Sequence, residues 1–196
     1  MIKLLDILEN NILVPRRSKE ERAKNHQIAL QKQVQQYIKG GSKGKLDLYR
    51  SPITSLPSNL TVGGDLDLAH SNITSLPSGL SVGGTLNLYN CKNLTSLPPD
   101  LSVGGDLYLS NTKITSLPSG LSVGGDLDLA DSKITSLPSG LSVGGTLELY
   151  GTSITSLPSD LKVRDGLYLG NTPLSKSHKV EQIRQMAPGV KGNIFI

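Results

Sequence analysis

The chain repeats itself. KITSLPSGLSVGGDLDLA at residues 113–130 is followed from Lys133 by KITSLPSGLSVGGTLELY. Aligned on itself, the chain gives seven lines with Leu-x-Leu centres at Leu46/Leu48, Leu66/Leu68, Leu86/Leu88, Leu107/Leu109, Leu127/Leu129, Leu147/Leu149 and Leu167/Leu169. The period is 20 residues, with one step of 21 where NCKNL adds a residue after Cys91. VKGNIFI near the end matches VGGDLDL and puts Ile194 and Ile196 in leucine positions. A fixed period of this size predicts a solenoid, because one line buries little and stacked lines bury a continuous column.

Within a line, leucines alternate with polar residues, the pattern of a strand with one buried face. The following ITSLPSGL cannot be helix or central strand, because proline lacks an amide donor and serine competes for the backbone. It is expected to return extended or as short 3₁₀ and polyproline-like turns, with Ile114, Leu117, Leu121 and Val123 pointing inward. The paired glycines, Gly124-Gly125 and their equivalents, are expected to turn the chain tightly into the next strand.

These lines resemble leucine-rich repeats, L-x-x-L-x-L-x-x-N-x-L, and in particular the short bacterial type with LP on the return side, as in bacterial effectors. The resemblance covers Leu46 to Leu174. It implies an α/β solenoid: a right-handed leucine-rich-repeat solenoid of eight parallel strands with N-terminal and C-terminal helical caps. A basic N-terminal helix and a PGVKG ending are similar to short repeat proteins of bacteriophage. The family's asparagine position holds Ser51, Ser71, Cys91, Thr112, Ser132, Thr152 and Thr172, hydroxyls that can still bond the neighbouring backbone. Cys91 is expected as a buried member of that row.

The flanks read as covers for the open ends. Residues 1–44 form an N-terminal cap: Leu4, Leu5 and Leu8 at helical spacing, then SKEE (Ser18–Glu21) as a capping box. A stripe of Leu30, Val34, Tyr37 and Ile38 follows, ended by Gly40-Gly41. Residues 45–174 form the solenoid. Residues 175–196 form a C-terminal cap, a helix with Val180, Ile183 and Ala187 on one face stopping at Pro188, then a last strand. The whole is one domain. The basic run Arg16, Arg17, Lys19, Arg22 and Lys24 is expected to be the solvated face of the cap helix, with nucleic acid disfavoured for want of a motif.

Net charge is +4, distributed as +5 over residues 1–44, −5 over 45–161 and +4 over 162–196. The acids of the middle gather where the lines differ. Lys45, Asp65, Thr85, Asp106, Asp126, Thr146 and Gly166 precede the first leucine. Asp47, Asp67, Asn87, Tyr108, Asp128, Glu148 and Tyr168 stand between the leucines. Tyr49, Ala69, Tyr89, Ser110, Ala130, Tyr150 and Gly170 follow the second, and Asp131 adds an acid beside them. Like charges one strand apart repel by about 1 kcal/mol even in water. Tyrosine supplies large contact area at low entropy cost. The face carrying Asp47, Tyr49, Asp67, Tyr89, Tyr108, Asp128, Asp131, Glu148, Tyr150 and Tyr168, concave in this fold, is therefore expected to bind a basic protein.

Catalysis is not expected. His26, His70 and His178 lie on separate elements without metal-ligand spacing, and the serines are repeat serines without a matched base. Asp126 and Asp128 lie on an open face rather than in an enclosed pocket. No cofactor is implied. One cysteine excludes an internal disulfide, and MIKLLDILEN is interrupted by Asp6 and Glu9 without a cleavage pattern or membrane span following, so a cytoplasmic protein with no membrane contact is expected. The alternatives to host-directed protein binding are a virion or assembly component and a sponge for a cationic ligand.

Overall fold

A computed structural model describes residues 18–196. The expectations for Leu4, Leu5, Leu8, Arg16 and Arg17 lie outside the described residues. The rest is a parallel β-solenoid with two sheets. The Leu-x-Leu segments form one sheet in the order β1 (Leu46–Asp47), β3 (Leu66–Asp67), β5 (Leu86–Asn87), β7 (Leu107–Tyr108), β9 (Leu127–Asp128), β11 (Leu147–Glu148), β13 (Leu167–Tyr168) and β14 (Ile194–Phe195). Leucine pairs with leucine from coil to coil, and Leu167 pairs with Ile194. Slipping that register by one residue would turn every leucine to water.

A second, six-stranded sheet lies outside the sequence expectation. Its strands are β2 (Thr61–Val62), β4 (Ser81–Val82), β6 (Ser102–Val103), β8 (Ser122–Val123), β10 (Ser142–Val143) and β12 (Lys162–Val163). The leg through Leu-Pro carries no strand. Pairing starts beyond the proline, where a β-branched valine faces inward and a serine, threonine or lysine faces out. Between the sheets Ile114, Leu117, Leu121 and Val123 are all buried, as are their equivalents except Leu97, which is partly buried. At about 2 kcal/mol per buried leucine, this shared interior drives the stacking.

The paired glycines bend the chain into the next strand as expected, by a different means. None of the pairs from Gly63-Gly64 to Gly144-Gly145 has positive φ. Their constraint is the neighbouring coil: a Cβ on Gly124 would sit 2.0 Å from the Gly104 carbonyl oxygen, and one on Gly144 2.2 Å from that of Gly124. The left-handed turn comes elsewhere, just after each strand of the larger sheet. Arg50, His70, Asn90, Asn111, Asp131, Gly151 and Asn171 all have φ between 52° and 69°. That column is rich in Asn, Asp and Gly because those residues tolerate the left-handed region best.

Helix α1 (Lys19–Lys39) opens on the expected capping box, with Ser18 Oγ accepting from the Glu21 amide at 3.0 Å and Glu21 Oε2 accepting from the Ser18 amide at 2.9 Å. Leu30 and Val34 are buried in the common core and Tyr37 packs against it, whereas Ile38 is 37% exposed and leaves the stripe. Gln33 Nε2 donates to the Asp47 carbonyl, and Tyr37 Oη donates toward the Ser42 and Gly44 carbonyls. At the other end the single expected helix is two: α2 (Pro173–Ser177), capped by Thr172, and α3 (Val180–Met186). Ile183 and Ala187 are buried beside β14 and Val180 only partly. Ile194 is buried as expected. Ile196 is 52% exposed, because among the described residues no further coil covers it. No helix among the described residues is long and apolar enough to cross a membrane.

Candidate functional site

The outward residues of the larger sheet include nine of the ten expected site residues: Asp47, Tyr49, Asp67, Tyr89, Tyr108, Asp128, Glu148, Tyr150 and Tyr168. Asp131 stands apart, exposed at the left-handed turn after β9. Strand pairing brings the nine onto one face because each sits at the same place in its own line.

Most of these acids have a backbone task. The middle residue of Leu-x-Leu accepts from the amide two residues on: Asp47 Oδ1 from Tyr49 at 3.0 Å, Asp67 Oδ1 from Ala69 at 3.1 Å, Asp128 Oδ1 from Ala130 at 2.9 Å and Glu148 Oε1 from Tyr150 at 2.9 Å. Asn87 does the same for Tyr89. These amides lie where the ladder gives way to the turn, and the side-chain oxygen supplies an acceptor. A second row works between coils. Asp65, Asp106 and Asp126 each accept through Oδ1 from the amide at the same position in the next coil, Thr85, Asp126 and Thr146. Their carboxylates occupy the space over Gly84, Gly125 and Gly145, where a Cβ would come within 2.2 Å of the oxygen. The acidity of the face thus has a structural cause that sequence reading missed, although the recurrent Gly-Gly-Asp signalled it.

What remains differs along the face. Near its start, Lys45 Nζ lies 3.5 Å from both Asp47 and Asp67, and these two carboxylates, Asp47 foremost, hold the Lys45 ammonium pKa above its ordinary value. His70 fits edge-on between Tyr49 and Tyr89, with ring centroids 5.6 and 5.2 Å apart. The Asn90 side-chain amide and His70 Nδ1 lie within hydrogen-bonding distance, 2.8 Å. Arg50 lies 5.2 Å from the Tyr49 ring centre. Midway, Tyr108 Oη donates to Asp106 Oδ2 at 3.0 Å, and burial, then that bond, raises the phenol's pKa.

Toward the other end Tyr168 stacks on Phe195, centroids 4.3 Å apart and planes 14° from parallel. Asp128, Ala130, Glu148, Tyr150, Tyr168, Gly170, Phe195 and Ile196 line a shallow, open recess of about 400 Å³. Burial raises the Glu148 carboxyl pKa and the Asp128 charge adds to the rise, while the bond from the Tyr150 amide opposes it.

Cys91 is buried as expected: its Sγ donates to the Leu68 carbonyl at 3.1 Å and meets Ser71 Oγ at 3.6 Å. Burial pushes its thiol pKa up, which disfavours the nucleophilic thiolate. Among the described residues no group of three or more His, Cys, Asp or Glu side chains is placed to hold a metal ion.

No curated protein matches the chain. A family model described as repeats of unknown function (DUF5649) matches residues 52–97 and 104–157, just over half of the sequence and the heart of the solenoid. The chain belongs to this DUF5649 repeat family.

Proposed function

We propose that the protein is a non-catalytic binding module that takes a basic protein partner on the face of its eight-stranded sheet. The solenoid is then of the right-handed leucine-rich-repeat type, with α1 capping the first coil and α2, α3 and β14 capping the last. One observation carries this reading. Of the large apolar side chains that are exposed among the described residues, Ile28 and Ile38 lie on α1, and Tyr49, Tyr89, Tyr150, Tyr168, Phe195 and Ile196 lie along or at the end of this one face. Six such groups held in water on a single sheet mark an interaction surface. The acids beside them favour a basic partner, and the flanks favour a bacteriophage protein directed at a factor of its bacterial host.

The test replaces tyrosines, because lysine at Asp67 or Asp128 would also remove the acceptors of the Ala69 and Ala130 amides. Immobilised wild-type protein is expected to retain a defined basic protein from bacterial lysate. The combined Tyr49→Ser, Tyr89→Ser, Tyr150→Ser variant is expected to lose it while keeping the wild-type circular dichroism. Equal retention by both would remove the face as the site. Recovery of the protein in purified phage particles would point instead to the virion component.

A further inference from the structure

The two carboxylates in the recess each have an oxygen to spare. Asp128 and Glu148 are register partners on adjacent strands. One oxygen of each holds a backbone amide, and the other, Asp128 Oδ2 and Glu148 Oε2, has no partner among the described residues. Neither residue meets a cation there, whereas Asp47 and Asp67 share Lys45. Aromatic rings line the same recess: Tyr150 is 50% exposed, and the Tyr168–Phe195 stack presents a flat wall. Gly170 lets the Tyr150 ring lie close against the sheet; a Cβ there would lie 3.0 Å from Tyr150 Cδ2.

We propose that this recess holds the guanidinium of an arginine side chain presented by the basic partner, with Asp128 and Glu148 accepting its N–H groups and the rings of Tyr150, Tyr168 and Phe195 beside it. The proposal rests on reading the sheet face as the interaction surface, and it names the anchor. A guanidinium is planar, weakly hydrated, stacks on aromatic faces and offers a fork of donors to carboxylates, so it uses both features of the site. A lysine ammonium is a compact, strongly hydrated point charge that leaves the flat wall unused. A calcium ion takes six to eight oxygen ligands, and the two carboxylates supply two spare ones. Glu148 provides a further argument. Its raised carboxyl pKa means that the free protein holds this charge at a cost, and an incoming cation relieves it.

The probe is Nα-acetylarginine methylamide, titrated into the full ¹⁵N-labelled chain. Saturable shifts are expected at the amides of Ala130, Tyr150, Tyr168, Gly170 and Phe195, and none with the capped citrulline, which keeps the shape and lacks the charge. Glu148→Gln keeps the acceptor for the Tyr150 amide and removes the charge, so it is expected to weaken arginine binding about tenfold or more. The same variant is expected to melt higher than wild type at pH 7 and level with it at pH 4. The sign follows from the raised pKa: the wild-type group is no burden below its unfolded value near 4.5 and a full one above its folded value. Arginine and citrulline acting alike, Glu148→Gln binding as wild type does, or unmoved amides would each overturn the proposal. Unmoved amides alongside loss of capture by the tyrosine variant would leave the interaction surface standing without this anchor. Arginine binding alongside undiminished capture would remove the partner, and the proposal with it.

Discussion

At the first three coils, Asp47 and Asp67 close around Lys45, and Tyr49 and Tyr89 close around His70. Four coils further along, Asp128 and Glu148 meet no cation among the described residues, and Tyr150, Tyr168 and Phe195 surround open space. Yet the strands beneath are the same, with the same register and the same carboxylate-to-amide bond two residues on. The repeat thus commits one oxygen of each acid to the backbone. The residues particular to each line decide what the other oxygen does. A face satisfied at one end and unsatisfied at the other has a direction, and the proposed function places its anchor at the unsatisfied end.

The common frame can be broken hardest where coils touch most closely. Gly144→Ala drives a Cβ to 2.2 Å from the Gly124 carbonyl oxygen, inside a rigid backbone stack. Gly63→Ala meets the Ser42 carbonyl at 2.9 Å, on a loop that precedes the repeats. Overpacking of this kind costs about 3 kcal/mol at Gly144 and about 1 kcal/mol at Gly63, measured by urea unfolding. Equal losses would show that the first coil is held as tightly as the sixth and that the two ends share one rigid frame.

A smaller effect tests the buried row beneath the face. Thr152 Oγ1 donates to the Leu149 carbonyl at 2.7 Å, as Thr112 and Thr172 do to Leu109 and Leu169, whereas the buried hydroxyls of Ser51 and Ser132 have no partner among the described residues. Thr152→Val is expected to cost about 1 kcal/mol by removing a donor from a buried carbonyl. Ser132→Ala is expected to lie within about 0.5 kcal/mol of wild type, because no bond is lost. A large loss at Ser132 would mean that its hydroxyl has a partner, such as a bridging water, and that the row is uniform along the solenoid.

The leucine rows, Cys91 and the inward residues of the return leg were legible because burial at a fixed period leaves a chemical pattern that needs no structure to read. The second sheet was not. Its strands are two residues long, and alternation over Ser122–Val123 is too short to register against the Leu-Pro segment before it. The bend at the glycine pairs is legible but its reason is not: a glycine alone does not tell positive φ from close approach, and for Gly124 the answer lies in the Gly104 carbonyl 20 residues back. The acids were read as binding groups because exposure and charge show in a sequence while the Ala69 and Ala130 amides do not. Phe195 entered as part of a last line, and only the pairing of β13 with β14 sets it on Tyr168. Lys45 stood in its column from the start; its bridge to Asp67 needed the register of β1 on β3.

That bridge gives the mildest change and the sharpest test of the comparison. Lys45 is exposed, and ion pairs of this kind contribute little to stability. The pair is complete well below the raised pKa of the lysine and fades only as pH climbs through it, so Lys45→Met is expected to melt like wild type across pH 6 to 8. Its consequence is for the face. Without the ammonium, Asp47 and Asp67 become an uncompensated pair one strand apart beside Tyr49 and Tyr89, the arrangement that Asp128 and Glu148 have beside Tyr150 and Tyr168. The arginine probe is then expected to shift the Tyr49 and Ala69 amides as well, at a concentration where wild type shows shifts only near Tyr150. If it does not, charge balance is not what separates the two ends. The stacked Tyr168–Phe195 wall would then be the whole difference, because His70 already fills the corresponding place between Tyr49 and Tyr89.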